Sequence, residues 1–221
     1  MRILITFVLF LGTTITGMSQ SGPKLTYLAL GDSYTIGESV GESERWPMQL
    51  IAQLNAGGKN YDVPKIIATT GWRTDDLSNA IWKEDPKPGY DLVSLLIGVN
   101  NQYQGKSVDA YKPEFEELLL KAIDLAGGDK KKVFVVSIPD YGFTPFGKPK
   151  QDAITRDIDA FNSANESIAK RIGVRYINIT DISRNGFEDP ALVAADGLHP
   201  SGKQYKLWVE RIVAAIRPVT R

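Results

Sequence analysis

The chain of 221 residues is long enough for one domain with a sizeable core, and its 43% hydrophobic and 24% charged residues are typical of a globular protein. Its 26 Lys and Arg balance its 26 Asp and Glu, so no net charge draws it to nucleic acid or to an anionic membrane. The sequence has no cysteine, which excludes disulfides, thiolate metal sites and a cysteine nucleophile.

The first 19 residues have the pattern of a secretory signal peptide. Arg2 provides a positive start, an apolar run covers 3–11, and the small residues Gly17 and Ser19 precede Gln20. The apolar run is shorter than the about 20 residues that cross a bilayer. We therefore predict a signal peptide over 1–19, a mature domain over 20–221, a secreted or periplasmic location, and no stable membrane anchor after cleavage. An uncleaved membrane anchor is the alternative.

Short apolar runs rich in β-branched residues then alternate with stretches of helical periodicity. The predicted strands cover 25–30, 63–68, 92–97, 133–138 and 174–179. The predicted helices cover about 45–54, 75–82, 112–126, 153–171 and 201–216. Pro113 fits the first turn of the third helix, Gly127 its end, and Pro200 the start of the last helix. The alternation predicts one α/β domain with a mostly parallel sheet covered by helices on both faces.

The segments that follow the predicted strands carry the residues with reactive or polar groups. Ser33 follows the first strand, Gly71 the second and Asn100 the third, while His199 comes after the fifth strand and just before the last helix. Ligands of open α/β sheets bind outside the carboxyl ends of the strands. We therefore expect these four residues to meet at one edge of the sheet.

A serine, an imidazole and a carboxylate together suit nucleophilic catalysis. Ser33 is the candidate nucleophile, and His199 is the candidate base because it is the only histidine in the chain. Asp196, three residues earlier, is placed to orient the imidazole and stabilise its charged form. The alternatives are that the Gly-Asp-Ser sequence only forms a turn and that His199 only caps the last helix.

Acyl transfer also needs N–H groups that face the developing negative charge. The backbone N–H of Gly71, the side-chain amide of Asn100 and the backbone N–H of Ser33 are the candidate donors for such an oxyanion hole. Each also has a simpler interpretation as part of a turn.

These segments resemble the four sequence blocks of the SGNH (GDSL-type) hydrolases. The matching blocks are Gly31-Asp32-Ser33, Gly71, Gly98-Val99-Asn100 and Asp196-Gly197-Leu198-His199-Pro200, in the family's order. The resemblance implies a flavodoxin-like three-layer α/β/α sandwich with a five-stranded sheet, and ester hydrolysis through an acyl-enzyme. It implies that Ser33 is the nucleophile, His199 the base and Asp196 its orienter, and that Ser33, Gly71 and Asn100 form the oxyanion hole.

Two places depart from the family's commoner pattern. Asn101 stands where an Asp is frequent, and Trp72 and Arg73 follow Gly71 where small residues are frequent. Arg73 either meets an anionic group of the substrate or forms an ion pair with Asp75 or Asp76.

Aromatic residues are concentrated on the predicted post-strand loops, at Trp72, Tyr103, Tyr141, Phe143 and Phe146. Such residues either form walls for an acyl chain or a sugar, or form a small core that holds the loops. The predicted substrate-binding residues are Trp72, Arg73, Tyr103, Tyr141 and Phe143. Two further tryptophans, Trp46 and Trp82, lie on predicted helices and are expected in the core.

The sequence thus predicts a secreted serine esterase that needs no cofactor and no metal. The expected substrates are small-molecule or carbohydrate esters with short acyl groups, acetyl esters of carbohydrate included. The alternatives are a lysophospholipase or thioesterase with the same machinery, and a non-catalytic binding module on the same fold. A nucleotide-binding protein of flavodoxin type is disfavoured because no G-x-G-x-x-G sequence follows the first strand.

Overall fold

A computed structural model describes residues 23–216 of the chain. The predicted signal peptide lies outside the described residues. Within them, five strands form one sheet: β1 Tyr27–Gly31, β2 Lys65–Ala68, β3 Leu92–Leu96, β4 Val133–Val136 and β5 Arg175–Ile177. The strand order is β2-β1-β3-β4-β5, and all four neighbouring pairs are parallel. The prediction of a flavodoxin-like sheet is confirmed.

The three central strands are buried along their whole length, as expected of a sheet covered on both faces. The helices are α1 Ser33–Ile36, α2 Trp46–Ala56, α3 Thr74–Glu84, α4 Val99–Tyr103, α5 Val108–Leu125, α6 Gln151–Ile172, α7 Thr180–Ser183 and α8 Gly202–Ile216. Helix α2 packs against α8, and α5 packs against both α3 and α6. These two groups are the outer layers of the sandwich.

Two prolines that were predicted at helix starts lie elsewhere. Helix α5 begins at Val108, one turn early, because the Ser107 hydroxyl caps it by accepting the Ala110 N–H at 3.2 Å. Pro113 therefore lies inside the helix and not in its first turn. Helix α8 begins after Ser201, whose hydroxyl accepts the Gln204 N–H at 3.3 Å, so Pro200 precedes the helix.

The two helical tryptophans have opposite environments. Trp46 is fully buried, which confirms the prediction, whereas Trp82 is 85% exposed, so its predicted place in the core is wrong. Leu77 and Ile81 occupy the buried side of α3. Successive helical residues are rotated by about 100°, so the neighbour of Ile81 faces solvent.

Candidate functional site

Ser33 lies at the sharp turn between β1 and α1. The side chain of Asp32 caps this short helix, because its Oδ1 accepts the Tyr34 N–H at 3.0 Å. The helix ends after one turn at Gly37, whose φ of 73° is in the left-handed region. The Ser33 side chain is 5% exposed and lines a cavity at the carboxyl end of the sheet.

The segment that carries Asp196 and His199 is a closed loop before α8. Val193 and Pro200 form an antiparallel bridge at its base, and the Ala194 N–H donates to the His199 carbonyl at 2.7 Å. Inside the loop, the Asp196 Oδ2 lies 2.6 Å from the His199 Nδ1. The predicted pairing of a carboxylate with an imidazole three residues later is therefore present in the geometry.

Hydrogen bonds to both oxygens keep the Asp196 carboxylate ionised. Oδ1 accepts the backbone N–H groups of Leu198 and His199 at 2.9 and 3.0 Å. Oδ2 accepts from His199 and from the hydroxyl of Ser39 at 2.6 Å. Burial alone would raise the pKa of Asp196, but these hydrogen bonds outweigh it and hold the pKa well below its usual range.

Within residues 23–216, one nitrogen of the imidazole has no hydrogen-bond partner, and the ring is held on its other side. Nδ1 is engaged with Asp196, and the ring edge packs against Tyr34 with 5.8 Å between centroids. Nε2 is therefore the nitrogen that remains for proton transfer, and His199 lines the same cavity as Ser33. Among the described residues, no hydrogen bond joins Ser33 Oγ to His199. Such bonds are often long in unliganded enzymes and tighten when substrate binds.

The segments that carry Gly71 and Asn100 border the same cavity. Gly71 has a φ of 86°, a conformation that other residues rarely adopt. The Asn100 Nδ2 donates to the Trp72 carbonyl at 2.9 Å, which orients the amide. Gly98 permits this arrangement, because its φ is 128° and an added Cβ would lie 2.6 Å from the Tyr111 hydroxyl.

Asn101, at the position where the family often has Asp, is buried and supports the neighbouring loop. Its Oδ1 accepts the Thr74 N–H at 3.2 Å, and its Nδ2 donates to the Thr74 hydroxyl at 2.7 Å. Thr74 is the first residue of α3 and lies three residues after Gly71. Asn101 thus joins the segment of Asn100 to that of Gly71.

The cavity has a volume of about 310 Å³. Its lining residues are Ser33, Tyr34, Thr70, Gly71, Val99, Asn100, Tyr103, Tyr141, Phe146, Leu198 and His199. Four of the five residues predicted for the triad and the oxyanion hole line the cavity. The fifth, Asp196, does not line it but contacts His199, which does. Of the predicted substrate-binding residues, the structure brings Tyr103 and Tyr141 to the cavity.

Trp72, Arg73 and Phe143 are not among the lining residues. Arg73 donates from Nε and Nη2 to Asp75 at 2.9 and 2.6 Å, which is the ion-pair interpretation of this residue. Trp72 packs against the core, and Phe143 packs against Phe187 with 5.7 Å between centroids. Each of these side chains thus has a partner elsewhere in the fold.

Phe146 and Ser39 belong to the site although the sequence did not assign them to it. Phe146 packs with Tyr103 and Tyr141 at centroid distances of 6.3 and 6.4 Å. Phe146 is one of the aromatic residues noted on the post-strand loops, so this concentration of aromatic residues could have identified it. Ser39 lies in a loop without a recognisable motif and 157 residues from Asp196 in sequence. Their contact depends on the fold, so no local pattern identifies Ser39.

The segment after β4 is a fixed wall of the site. Asp140 is fully buried and accepts from the Gly142 N–H, the Thr155 hydroxyl and Arg184 Nε at 2.8 to 3.0 Å. The Phe146 N–H donates to the Gly197 carbonyl at 3.0 Å. This wall is therefore tied both to the core and to the loop of Asp196.

Asp32 has an unusual environment beside Ser33. It is fully buried, and its Oδ2 has no hydrogen-bond partner among the described residues. Burial raises the pKa of Asp32 to about 7, although the N–H of Tyr34 and its own backbone N–H lower it in part. A neutral or half-ionised carboxyl group thus caps α1 near neutral pH.

Metal-binding and membrane-spanning features were sought across residues 23–216. This part of the chain contains no group of three or more His, Asp or Glu side chains arranged to hold a metal ion. None of its helices is long and apolar enough to cross a membrane.

The fold and the site define an ester hydrolase of α/β architecture with a serine at the carboxyl end of β1. Residues 29–207 match the model of the GDSL-like lipase/acylhydrolase family, and the chain belongs to that family. The SGNH resemblance is thereby confirmed. No curated protein is significantly similar in sequence to this chain.

Solved structures share the fold at low sequence identity. TesA is 18% identical with a TM-score of 0.67, over 87% of this chain and 98% of its own. Axe2, an acetylxylan esterase from Geobacillus stearothermophilus, is 21% identical with a TM-score of 0.65, over 88% and 95%. The psychrotrophic esterase EstA from Pseudoalteromonas sp. is 18% identical with a TM-score of 0.63, over 86% and 96%.

Proposed function

We propose that the protein hydrolyses carboxylic esters through an acyl-enzyme on Ser33, with His199 as base and Asp196 as its orienter. The observation that carries the proposal is the 2.6 Å pair of Asp196 and His199 at a cavity that Ser33 also lines. The ionised carboxylate fixes the tautomer with the proton on Nδ1 and leaves Nε2 to accept a proton.

The reaction follows from these positions. Ser33 Oγ attacks the ester carbonyl carbon while its proton passes to His199 Nε2. The N–H groups of Ser33 and Gly71 and the amide of Asn100 stabilise the oxyanion. The alcohol leaves with the proton from Nε2, and water then attacks the acyl-enzyme with His199 again as base, which releases the acid and Ser33.

The proposed substrates have short acyl groups, with acetyl esters of carbohydrate as the leading class. The 310 Å³ cavity holds a small acyl group beside Ser33. A second groove of about 450 Å³ shares Tyr103, Tyr141 and Phe146 with it. Its remaining lining includes Gln102, Lys150 and Asp157, polar groups that suit a hydroxylated alcohol moiety better than an alkyl chain. The acetylxylan esterase Axe2 acts on such esters and shares the fold.

The decisive experiment uses Ser33→Ala with a serine-reactive organophosphate. We expect the variant to lose nearly all esterase activity, since removing a triad residue lowers kcat by about 10⁴- to 10⁶-fold. Its melting temperature should be unchanged. Mass spectrometry should locate the phosphoryl adduct on Ser33 in the wild type. Ser78→Ala, on the outer surface of α3, is the control and should behave like the wild type. Activity that survives in Ser33→Ala, or an adduct elsewhere, refutes the proposal.

The alternatives separate in the same assay. A lysophospholipase or thioesterase would use Ser33 but prefer long acyl chains or thioesters. A binding module would show no Ser33-dependent turnover on any ester, thioester or lysophospholipid tested.

We also propose that the protein is exported, on the signal-like pattern of residues 1–19. N-terminal sequencing of the native protein tests this, with Gln20 expected as the first residue. An intact N-terminus in the cell interior would contradict it.

A further inference from the structure

Ser39 contacts the carboxylate that orients the proposed base. Its hydroxyl donates to Asp196 Oδ2 at 2.6 Å, the same oxygen that pairs with His199 Nδ1. The other oxygen, Oδ1, accepts the N–H groups of Leu198 and His199. Ser39 is thus the side chain from outside the Asp196 loop that fixes the rotation of this carboxylate.

The backbone of Ser39 supports a specific role for its side chain. Its φ is 64°, in the left-handed region, where Gly is unstrained and other residues are uncommon. Only one other non-glycine residue among the described residues has a positive φ, namely Asp85. A non-glycine residue keeps such a backbone conformation only when its surroundings hold it there. Strained residues of this kind are concentrated at functional sites. The contact here is the hydrogen bond to Asp196.

A neighbouring contact holds the loop of Ser39 in place. Thr70 donates a hydrogen bond from its hydroxyl to Glu38, and Thr70 lies beside Gly71 in the cavity lining. The consecutive residues Glu38 and Ser39 therefore contact both the segment of the proposed oxyanion hole and the proposed triad. Because the contact between Thr70 and Glu38 fixes the loop, the Ser39 hydroxyl is held in place to donate to Asp196.

We propose that Ser39 is a positioning residue of the catalytic triad, acting on His199 through the Asp196 carboxylate. The inference rests on the proposed function. The Ser39 hydroxyl competes with the imidazole N–H for one carboxylate oxygen, so it limits how strongly Asp196 stabilises the charged imidazole. It also sets the angle at which the carboxylate meets the ring, and with it the direction of Nε2 relative to Ser33 Oγ.

Two ionisable groups on this side of the site, Glu38 on the loop of Ser39 and Tyr205 on α8, do not supply this interaction. Burial raises the pKa of Tyr205, with Asp32, Asp196 and Glu38 adding to the effect, so the phenol remains neutral. Glu38 accepts a hydrogen bond from Thr70, and the Tyr205 hydroxyl has no hydrogen-bond partner among the described residues, so Ser39 is the donor to Asp196 Oδ2 on this side.

Two variants separate the hydroxyl from the backbone. Ser39→Ala and Ser39→Gly both remove the hydroxyl, but only glycine relieves the positive φ. If the hydroxyl positions Asp196, both variants should lower kcat by about 3- to 30-fold with little change in KM, the cost of losing one charge-assisted hydrogen bond. If Ser39 only shapes the loop, Ser39→Gly should equal the wild type in kcat. Glu42→Ala, an exposed change in the same connection, is the control.

The single histidine provides a readout that does not need turnover. The imidazole signals in NMR come from His199 alone, since the sequence has one His. Loss of the competing hydroxyl should strengthen the pairing of Asp196 with the charged imidazole. The midpoint of the His199 titration and the acidic limb of the pH–rate profile should both move to higher pH in Ser39→Ala and Ser39→Gly. An unchanged or lowered midpoint in both variants overturns the proposal.

A double-mutant cycle tests the route of the effect. In an Asp196→Asn background, Ser39→Ala should cause no further loss of kcat, because the carboxylate on which it acts is gone. A full additional loss would show that Ser39 does not act through Asp196. Failure of the parent function is distinguishable, because it would appear as activity retained in Ser33→Ala, whatever the Ser39 variants do.

Discussion

The Asn100 side-chain amide donates one of its two N–H groups to the carbonyl of Trp72, at 2.9 Å. This bond sets the plane of the amide and leaves the second N–H for another acceptor at the cavity. It also ties the segment after β3 to the segment after β2, so the proposed donors Asn100 and Gly71 are held relative to each other. Preorganised donors of this kind stabilise a developing oxyanion without reorganisation.

Asn100 should therefore matter for kcat more than for stability. We expect Asn100→Ala to lower kcat by about 10²- to 10³-fold, since the second N–H serves the transition state and not the bound ester. KM should change little. Steady-state kinetics on p-nitrophenyl acetate check this, with Gln104→Ala, an exposed amide on the same segment, as the control. A normal kcat in Asn100→Ala would remove the amide from the oxyanion hole.

Asp32 should make the stability depend on pH. Burial raises its pKa from 3.8 to about 7, so the folded state favours the neutral acid. The stability that Asp32 contributes is present below about pH 4 and is lost as pH rises through about 7. Asp32→Asn keeps the oxygen that caps α1 and cannot ionise. It should stabilise the protein above pH 7, by at most about 4 kcal/mol for the three-unit shift, and have little effect at pH 4.

Thermal melts of wild type and Asp32→Asn at pH 4 and pH 8 test this. Asp32→Ala, which loses the cap, should be less stable than Asp32→Asn at both values. An equal effect of Asp32→Asn at the two pH values would mean that folding does not raise the pKa of Asp32.

The triad should show unequal losses. The pKa of Asp196 lies well below its usual range, so it remains a carboxylate throughout the working pH range. The acidic limb of the pH–rate profile should then report His199, because a protonated imidazole cannot accept the Ser33 proton. Asp196→Asn should cost about 10⁴-fold in kcat and His199→Ala about 10⁶-fold. A profile flat down to pH 4 would exclude His199 as the base.

Acyl-chain preference should reflect how much of the chain the site removes from water. Each buried methylene contributes up to about 0.8 kcal/mol, but the cavity is open to solvent, so only the first carbons beside Ser33 gain this in full. We expect kcat/KM for p-nitrophenyl esters to peak at about two to four acyl carbons and to fall for longer chains. Preference for decanoate or palmitate would instead indicate a lysophospholipase or lipase.

Turnover should not depend on a metal ion. The proposed steps use Ser33, His199, Asp196 and backbone or amide donors alone, so EDTA should leave kcat unchanged. Loss of activity on chelation, restored by one particular metal ion, would require a different mechanism.

Local patterns in the sequence were enough to locate the five strands and to identify the four sequence blocks of the candidate site. The runs that became β1, β3 and β4 are continuously apolar because both faces of each strand are buried. Parallel strands end at one edge, so the sequence alone implied that Ser33, Gly71, Asn100 and His199 meet there. The choice of His199 as the candidate base was supported further because it is the only histidine in the chain.

Tertiary packing decided which neighbouring side chains face the cavity. Trp72, Arg73 and Phe143 lie on the predicted loops, but packing against the core, an ion pair with Asp75 and a contact with Phe187 take them elsewhere. Trp82 is exposed because Ile81 beside it faces the core. Ser39 reaches Asp196 only because β1 and the loop before α8 end at the same edge of the sheet. The contacts of Phe143 with Phe187 and of Ser39 with Asp196 join residues far apart in sequence, and local periodicity contains no information about them.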